Sequence, residues 1–343
     1  MTRHILIFSF LFVAVCGRAE QPDSSVVDLI EQLKSEDRDV RREAAYQLDR
    51  LGARSAEAAP ILSEALKDSD QQIWWWSASA LAKIGPAAKV AIPVLMSGLG
   101  DSGQKRYRFA YALGKIGPEA IPSILEGLTS EDANVRAGSA QALGWMGGQG
   151  EPAVSALVNA LADEDAQVNQ KVSKALGRIG KGAAGALTTA LDHDRVSVRR
   201  GAARALGEIG PAATPAAAAL LKTAKDDDSD VRAVSMIALG SLDMTKVDVI
   251  PAITDAIQDE DVAVRRSAVE ALVRSRPHSQ RAVAVLSELL DHERPEVVLT
   301  AVTALGRLGG LAGEALPVLR ELVDVEAEEV REAVKMAIRR IEG

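Results

Sequence analysis

One cysteine, 3% aromatic residues and no surplus of positive charge narrow this 343-residue chain before any motif is read. Cys16 has no second thiol to pair with, which excludes a disulfide framework within the chain. There is no Gly-x-Ser-x-Gly, no Cys-x-x-Cys and no Cys-x-x-Cys-His, so a serine-hydrolase elbow, a thioredoxin-type couple and haem attachment have no residues to stand on. Forty Lys and Arg against 48 Asp and Glu give a net charge of -8, which offers no general attraction to nucleic acid or an anionic membrane. What is present is 47% hydrophobic residue, mostly Ala, Leu, Val and Ile, mixed with charge of both signs, and that excludes a wholly disordered chain.

The first residues read as an export signal rather than as part of the fold. Met1-Thr2-Arg3-His4 is a short basic start, residues 5–16 are an apolar run, and Gly17-Arg18-Ala19 places small residues three and one positions before Glu20. A twelve-residue run falls short of the roughly 20 needed to span a bilayer. Cleavage after Ala19 removes Arg3 and Arg18 and no acid, so the mature charge is -8 minus 2, or -10. It also removes Cys16, leaving a thiol-free protein suited to an oxidising compartment. Val13-Ala14-Val15-Cys16 resembles a bacterial lipobox, with Val15 where a small residue is expected, so a lipid anchor at Cys16 stays open beside cleavage. The expected organisation is a signal peptide over 1–19, a linker over 20–24 and one repeat domain over 25–343, exported to the periplasm or beyond the cell.

The remainder is one pattern written ten times. Anchor positions fall at Val40, Ile73, Lys105, Val135, Val168, Val198, Val231, Val264, Val297 and Val330, spaced 30 to 33 residues apart. Eight residues after each stands Leu, from Leu48 to Leu305, with Ile338 in the last; seven after stands Ala in all but the first, which has Gln47. One after stands Arg41, Arg106, Arg136, Arg199, Arg232, Arg265 or Arg331. Offsets 0, 4, 7, 8 and 11 are apolar or small, and at 100° per residue they form one stripe of an α-helix. Gly at offset 12 closes six successive helices before the pattern fails at Asp243 and Arg276.

A shorter apolar run, such as 92–99, 121–128 or 316–323, precedes each anchor, often opening on Pro. Acidic turns such as Asp68-Ser69-Asp70 lie between the two runs and suit the positive end of the next helix. Each unit is therefore a helix A and a helix B, and since one pair cannot bury both its faces, the units must stack into a solenoid. The phrase Val198-Arg199-Arg200-Gly201-Ala202-Ala203-Arg204-Ala205-Leu206-Gly207-Glu208-Ile209-Gly210-Pro211 resembles the short HEAT repeats of the phycobilisome-lyase type, and the likeness runs over 25–343. It implies an all-α, right-handed α-α superhelix of about ten two-helix repeats, with the B helices lining the concave face. It also implies a ladder of hydrogen bonds from the helix-B Arg to the turn Asp, interrupted where Trp74, Asn169 and Val298 replace Arg.

Other motifs fail their context. Gly180-Lys181-Gly182-Ala183-Ala184-Gly185 spells a dinucleotide fingerprint, but it follows a helix B rather than a strand. Of the histidines after the signal, His193, His278 and His292, only His292 is followed by Glu; deoxyhypusine hydroxylase, which this chain resembles in scaffold, needs several His-Glu pairs to hold iron. Asp226-Asp227-Asp228-Ser229-Asp230 begins like a calcium loop, yet Val231 and Ile237 stand where Gly and Glu are required. No metal or other cofactor and no catalysis are expected.

The uneven feature is the aromatic set. Tyr46, Trp74, Trp75, Trp76, Tyr107, Phe109, Tyr111 and Trp145 all lie in helix B of the first four repeats, and none follows residue 145. Trp74 and Phe109 occupy core slots. Trp75, Trp76, Tyr107, Tyr111, Tyr46 and Trp145 fall on the opposite arc, beside Arg108, Lys83 and Lys115. Exposed rings beside Arg have the composition of a protein-binding hot spot, whereas filling of gaps between Ala-rich helices is the competing reading. A cation column at offset ten (Arg50, Lys83, Lys115, Arg178, Arg274, Arg307, Arg340) closes helix B at the negative end of its dipole or lines an anion-binding groove. The expected product is an exported, non-catalytic scaffold that holds a protein or peptide in its groove through Trp75, Trp76, Tyr107, Arg108, Tyr111, Lys115 and Trp145, without binding nucleic acid or spanning a membrane. Two alternatives remain: a lyase- or chaperone-like binder of a tetrapyrrole or other aromatic ligand, implied by the resemblance, and an anion- or nucleic-acid-binding groove.

Overall fold

Each ten-fold repeat of the sequence becomes a pair of helices, one short and one long. In the computed structural model, which describes residues 25–101, 103–274 and 279–343, the short A helices are α1 (Val26–Gln32), α3 (Ala59–Ala65), α5 (Ile92–Ser97), α7 (Ile121–Gly127), α9 (Val154–Ala160), α11 (Lys181–Ala190), α13 (Ala217–Thr223), α15 (Ile250–Asp255), α17 (Ser279–Glu288) and α19 (Leu316–Glu321). The long B helices are α2 (Arg38–Leu51), α4 (Gln71–Ile84), α6 (Gln104–Ile116), α8 (Ala133–Met146), α10 (Ala166–Ile179), α12 (Val196–Ile209), α14 (Ser229–Leu239), α16 (Val262–Arg274), α18 (Pro295–Leu308) and α20 (Glu328–Glu342). There is no strand among the described residues, and the chain is an all-α superhelical solenoid. The expected signal peptide over 1–19, the expected 20–24 linker, Cys16 and His278 lie outside the described residues.

Local chemistry starts and stops each B helix. Asp37, Asp70, Asp132, Asp165 and Asp228 are N-caps whose carboxylates accept backbone amides of the first turn, as Asp70 does from Gln72 at 2.8 Å and Ile73 at 3.3 Å. At the far end Gly52, Gly85, Gly117, Gly147, Gly180, Gly210 and Gly309 all hold φ between 57° and 83°, a region closed to side-chain-bearing residues. Where that slot is Asp243, α14 has already ended at Leu239. The Gly180–Gly185 string is thus a helix stop followed by the first turns of α11, not a phosphate cradle.

The core follows the stripe. The offset-eight leucines from Leu48 to Leu305 are fully buried, each contributing roughly 1.5–3 kcal/mol by leaving water. Val40 departs from expectation: it is 37% exposed, because the first helix B has no preceding helix B to cover that side. Ile338, in the last, is half-buried. Residues Gln71–Gly100 and Pro295–Asp324 reach mean hydropathies of 1.3 and 1.2, long and apolar enough by composition to cross a membrane, but each is a helix B, a glycine stop and the following helix A. Half of each most apolar window is buried in the solenoid.

Successive B helices pack backbone to backbone. At offset nine, Gly144, Gly207, Gly240 and Gly306 face Ala175, Ala238, Ala271 and Ala337 of the next helix B, and a Cβ on any of them would lie 2.6–3.2 Å from the facing Cα. Glycine meeting alanine brings the backbones of neighbouring B helices into direct contact.

Among the described residues the ladder between turns has four rungs. Arg41, Arg136, Arg199 and Arg232 donate to Asp68, Asp163, Asp226 and Asp259, each acid 27 residues further along. Arg199 is typical: Nε and Nη2 donate to the two Asp226 oxygens at 2.7 and 2.8 Å, while Nη1 donates to the carbonyls of His193 and Asp194. Rungs are absent at Trp74, Asn169 and Val298, as the resemblance implies. They are also absent at Arg106 and Arg265, because Ser130 and His292 stand where the acid is needed. His193 and His292 instead accept the Arg195 and Arg294 amides on Nδ1 at 3.0 Å, the turn-closing role of Asp in other repeats.

Rung strength should read out in acid. The Arg199 guanidinium, followed by the Asp228 amide, holds the Asp226 carboxyl below its usual range despite burial. Its folded pKa is thus lower than its unfolded one, and the contribution to stability is complete above about pH 5 and lost as pH falls below about 4. Arg199→Ala should lower urea-unfolding stability by about 2 kcal/mol at pH 7. That deficit should shrink as pH falls below about 4, where the unfolded chains take up the proton that the Arg199-paired Asp226 resists; a deficit independent of pH would show that the pair carries no such load.

Candidate functional site

Successive B helices present offsets 2, 3, 6, 9 and 10 to one open face. There, a hollow of about 460 Å³ is lined by Ser79, Ala82 and Lys83 of α4 and by Tyr107, Arg108, Tyr111 and Lys115 of α6. A second hollow, of about 570 Å³, uses neighbouring columns: Ala203, Arg204, Gly207 and Glu208 of α12, Val234, Ile237 and Ala238 of α14, and Arg274 of α16. The two hollows share offsets 3, 6, 9 and 10 and lie four repeats apart on the same B-helix face, the groove side of the solenoid.

The sequence-derived residues gather at its N-terminal end. Arg108, Tyr107, Tyr111 and Lys115 line the hollow itself. Trp75 lies beneath Arg108, whose guanidinium carbon is 3.7 Å from the ring centroid. Trp145 meets Tyr107 and Tyr111 edge to face at 5.8 and 5.2 Å, and Arg178 covers its ring at 4.2 Å. Trp76 pairs with Tyr46 at 5.3 Å, on the side toward α2. Tyr107 is 46% and Tyr46 36% exposed, whereas Trp75, Trp76, Tyr111 and Trp145 are half-buried. Trp74 and Phe109 are buried as expected, 6.1 Å apart and T-shaped.

Two residues of the site were missed from sequence. Asp49 is buried on α2 and accepts from Lys83 Nζ at 2.8 Å, so Lys83 is tied down rather than free. Its signal was available: Asp49 sits at offset nine, where Gly114, Gly144, Gly177 and Gly207 stand in later repeats. Lys171 of α10 is the other. Burial, then the charges of Lys174, Arg106 and Arg178, hold its ammonium below the ordinary lysine value. Burial likewise lowers Arg108. No cluster of three or more His, Cys, Asp or Glu side chains suited to a metal occurs among the described residues.

With that geometry in place, comparison with known proteins decides the family. HEAT repeats match residues 26–110, 92–168, 154–240, 217–280 and 250–339. The chain belongs to the HEAT-repeat family. This HEAT solenoid is similar to the karyopherin Kap121p bound to the SUMO protease Ulp1p, with a TM-score of 0.59 and 14% identity over 92% of this chain and 41% of that one. It is similar to Kap121p bound to Pho4p, with a TM-score of 0.57 and 14% identity over 91% of this chain and 41% of that one. A structure of Kap95p with RanGDP gives a TM-score of 0.54 and 13% identity over 91% of this chain and 50% of that one. At such identities the likeness is one of fold, and the chain spans half or less of each of these karyopherins. No curated protein matches it.

Proposed function

We propose that this HEAT protein is an exported, non-catalytic scaffold whose B-helix groove holds a segment of a protein or peptide partner. The observation that carries the reading is the placement of Tyr107, Arg108, Tyr111 and Lys115 around the 460 Å³ hollow, with Trp75, Trp76 and Trp145 packed alongside. Rings that are partly wet and partly fixed by their neighbours lose little freedom on binding, and such positions carry interface energy. Kap121p, of similar fold, is seen bound to Ulp1p and to Pho4p, which favours the same kind of task here. The basic start and apolar run of residues 1–19 support export, with loss of Cys16 or its lipidation as the two routes. The 30–33-residue spacing supports the short phycobilisome-lyase type of repeat, and the groove is taken to act without a cofactor, a membrane span or nucleic acid.

Capture of the partner from an envelope fraction tests the proposal. Tyr107→Ala, at the most exposed ring, and the pair Trp76→Ala/Tyr111→Ala should each lower recovery at least about tenfold. Tyr107→Ala should melt within a few degrees of the parent. Undiminished capture by both variants would overturn the groove, and unfolding of Tyr107→Ala would assign the rings to packing.

A further inference from the structure

The chain has 48 acidic residues, yet α4, α6, α8 and α10 contain none. Those four consecutive B helices carry nine cations: Lys83, Lys105, Arg106, Arg108, Lys115, Arg136, Lys171, Lys174 and Arg178. Three are neutralised from outside the set, Lys83 by Asp49, Lys105 by Asp101 and Arg136 by Asp163. The other six make no ion pair among the described residues. Helix C-terminal placement accounts for Lys115 and Arg178, hydrogen bonds to Asn134 and Gln167 for Arg106 and the Trp75 ring for Arg108, whereas Lys171 and Lys174 stand mid-helix with no such partner among the described residues. Burial, then the like charges of Lys174, Arg106 and Arg178, hold the Lys171 ammonium below its ordinary value, and no acid among the described residues pairs with it.

Resting on the groove reading above, we infer that the stretch from α4 to α10 recognises a short acidic segment of the partner, extended along the rod. Acids bound this stretch on both sides, Glu43 and Asp49 on α2 and Glu208 on α12. Packed helices are about 8–10 Å apart, so four span roughly 30 Å, the length of about nine extended residues. A long polyanion would overrun that length onto Glu43 and Glu208, whereas a brief acidic run would not. Three residues of polyproline-like chain advance about 9 Å, so an acid at every third position meets one helix after another. The rings of Tyr107, Tyr111 and Trp145 offer apolar contact between the charges.

The probe is a fluorescein-labelled decapeptide with Asp at every third position and Pro, Leu and Ala between, compared by anisotropy with the same peptide carrying Asn. The Asp form should bind at least about tenfold more tightly, and less tightly as salt rises. Lys115→Gln/Lys171→Gln/Lys174→Gln should lose that preference at unchanged circular dichroism and melting temperature. Absence of Asp-peptide binding, or a preference that survives the triple variant, would overturn the inference. Equal binding of both peptides, abolished by Tyr107→Ala, would overturn it while leaving the groove standing. Tighter binding of a ten-nucleotide single strand than of the Asp peptide would overturn the choice of a protein partner.

Discussion

Gly240→Ala should divide the solenoid in two. The added Cβ would lie 2.6 Å from the Cα of Ala271 and 3.2 Å from its carbonyl oxygen, atoms of a neighbouring backbone that no rotamer change can move. Gly240 has a right-handed φ of -65°, so the backbone itself accepts alanine, and the effect is one of contact alone. Prying α14 from α16 should cost about 3 kcal/mol. In a repeat array that loss falls on one interface, which is where cooperativity fails. Two probes separate the halves: every tryptophan lies before residue 146, whereas circular dichroism reports all the helices. The variant should show an early phase in urea by circular dichroism while its fluorescence midpoint stays near that of the parent. Gly185→Ala is the control, exposed within α11 with no atom near its Cβ, and should gain about 0.5–1 kcal/mol. Coincident, unshifted curves for Gly240→Ala would mean that the helices yield at this contact.

Phe109→Ala should be the most damaging single truncation near the groove, at about 3–5 kcal/mol. Phe109 is 1% exposed, and its ring lies where a Cβ on Gly98 would have to be. Gly98→Ala alone therefore overpacks the site and should cost about 1–3 kcal/mol. In the double variant the new methyl enters space vacated by the ring. The two losses should combine to less than their sum by about 1 kcal/mol or more, measured as a double-mutant cycle in urea. Simple additivity would show that the ring does not determine glycine at 98.

These contacts mark where sequence reasoning reached and where it stopped. Helix B, its Leu column and its glycine stops were legible because they follow from the geometry of a single helix. The offset-nine glycines were visible as letters, but their meaning depends on the distance between two helices about 33 residues apart, which periodicity does not contain. Missing rungs at Arg106 and Arg265 could have been read 27 residues on, at the positions of Ala133 and His292, or more simply from the turn residues Ser130 and His292. The arc opposite the core places Tyr107, Arg108, Tyr111 and Lys115 on the face where they line the hollow, since offset fixes side. The absence of acids from α4, α6, α8 and α10 went unnoticed because charge was summed over the whole chain, where 48 acids conceal four helices without any.

The ladder is uneven along its length. Rungs join the first repeat to the second, the fourth to the fifth, and the sixth through to the eighth. None joins the second, third and fourth, whose helices carry most of the rings and the hollow between α4 and α6. Between the second and fourth repeats the turns are joined through neutral acceptors, Gln71 to Gln104 and Arg106 to Asn134, so fewer charge-paired contacts resist a change of pitch there than at the rungs on either side.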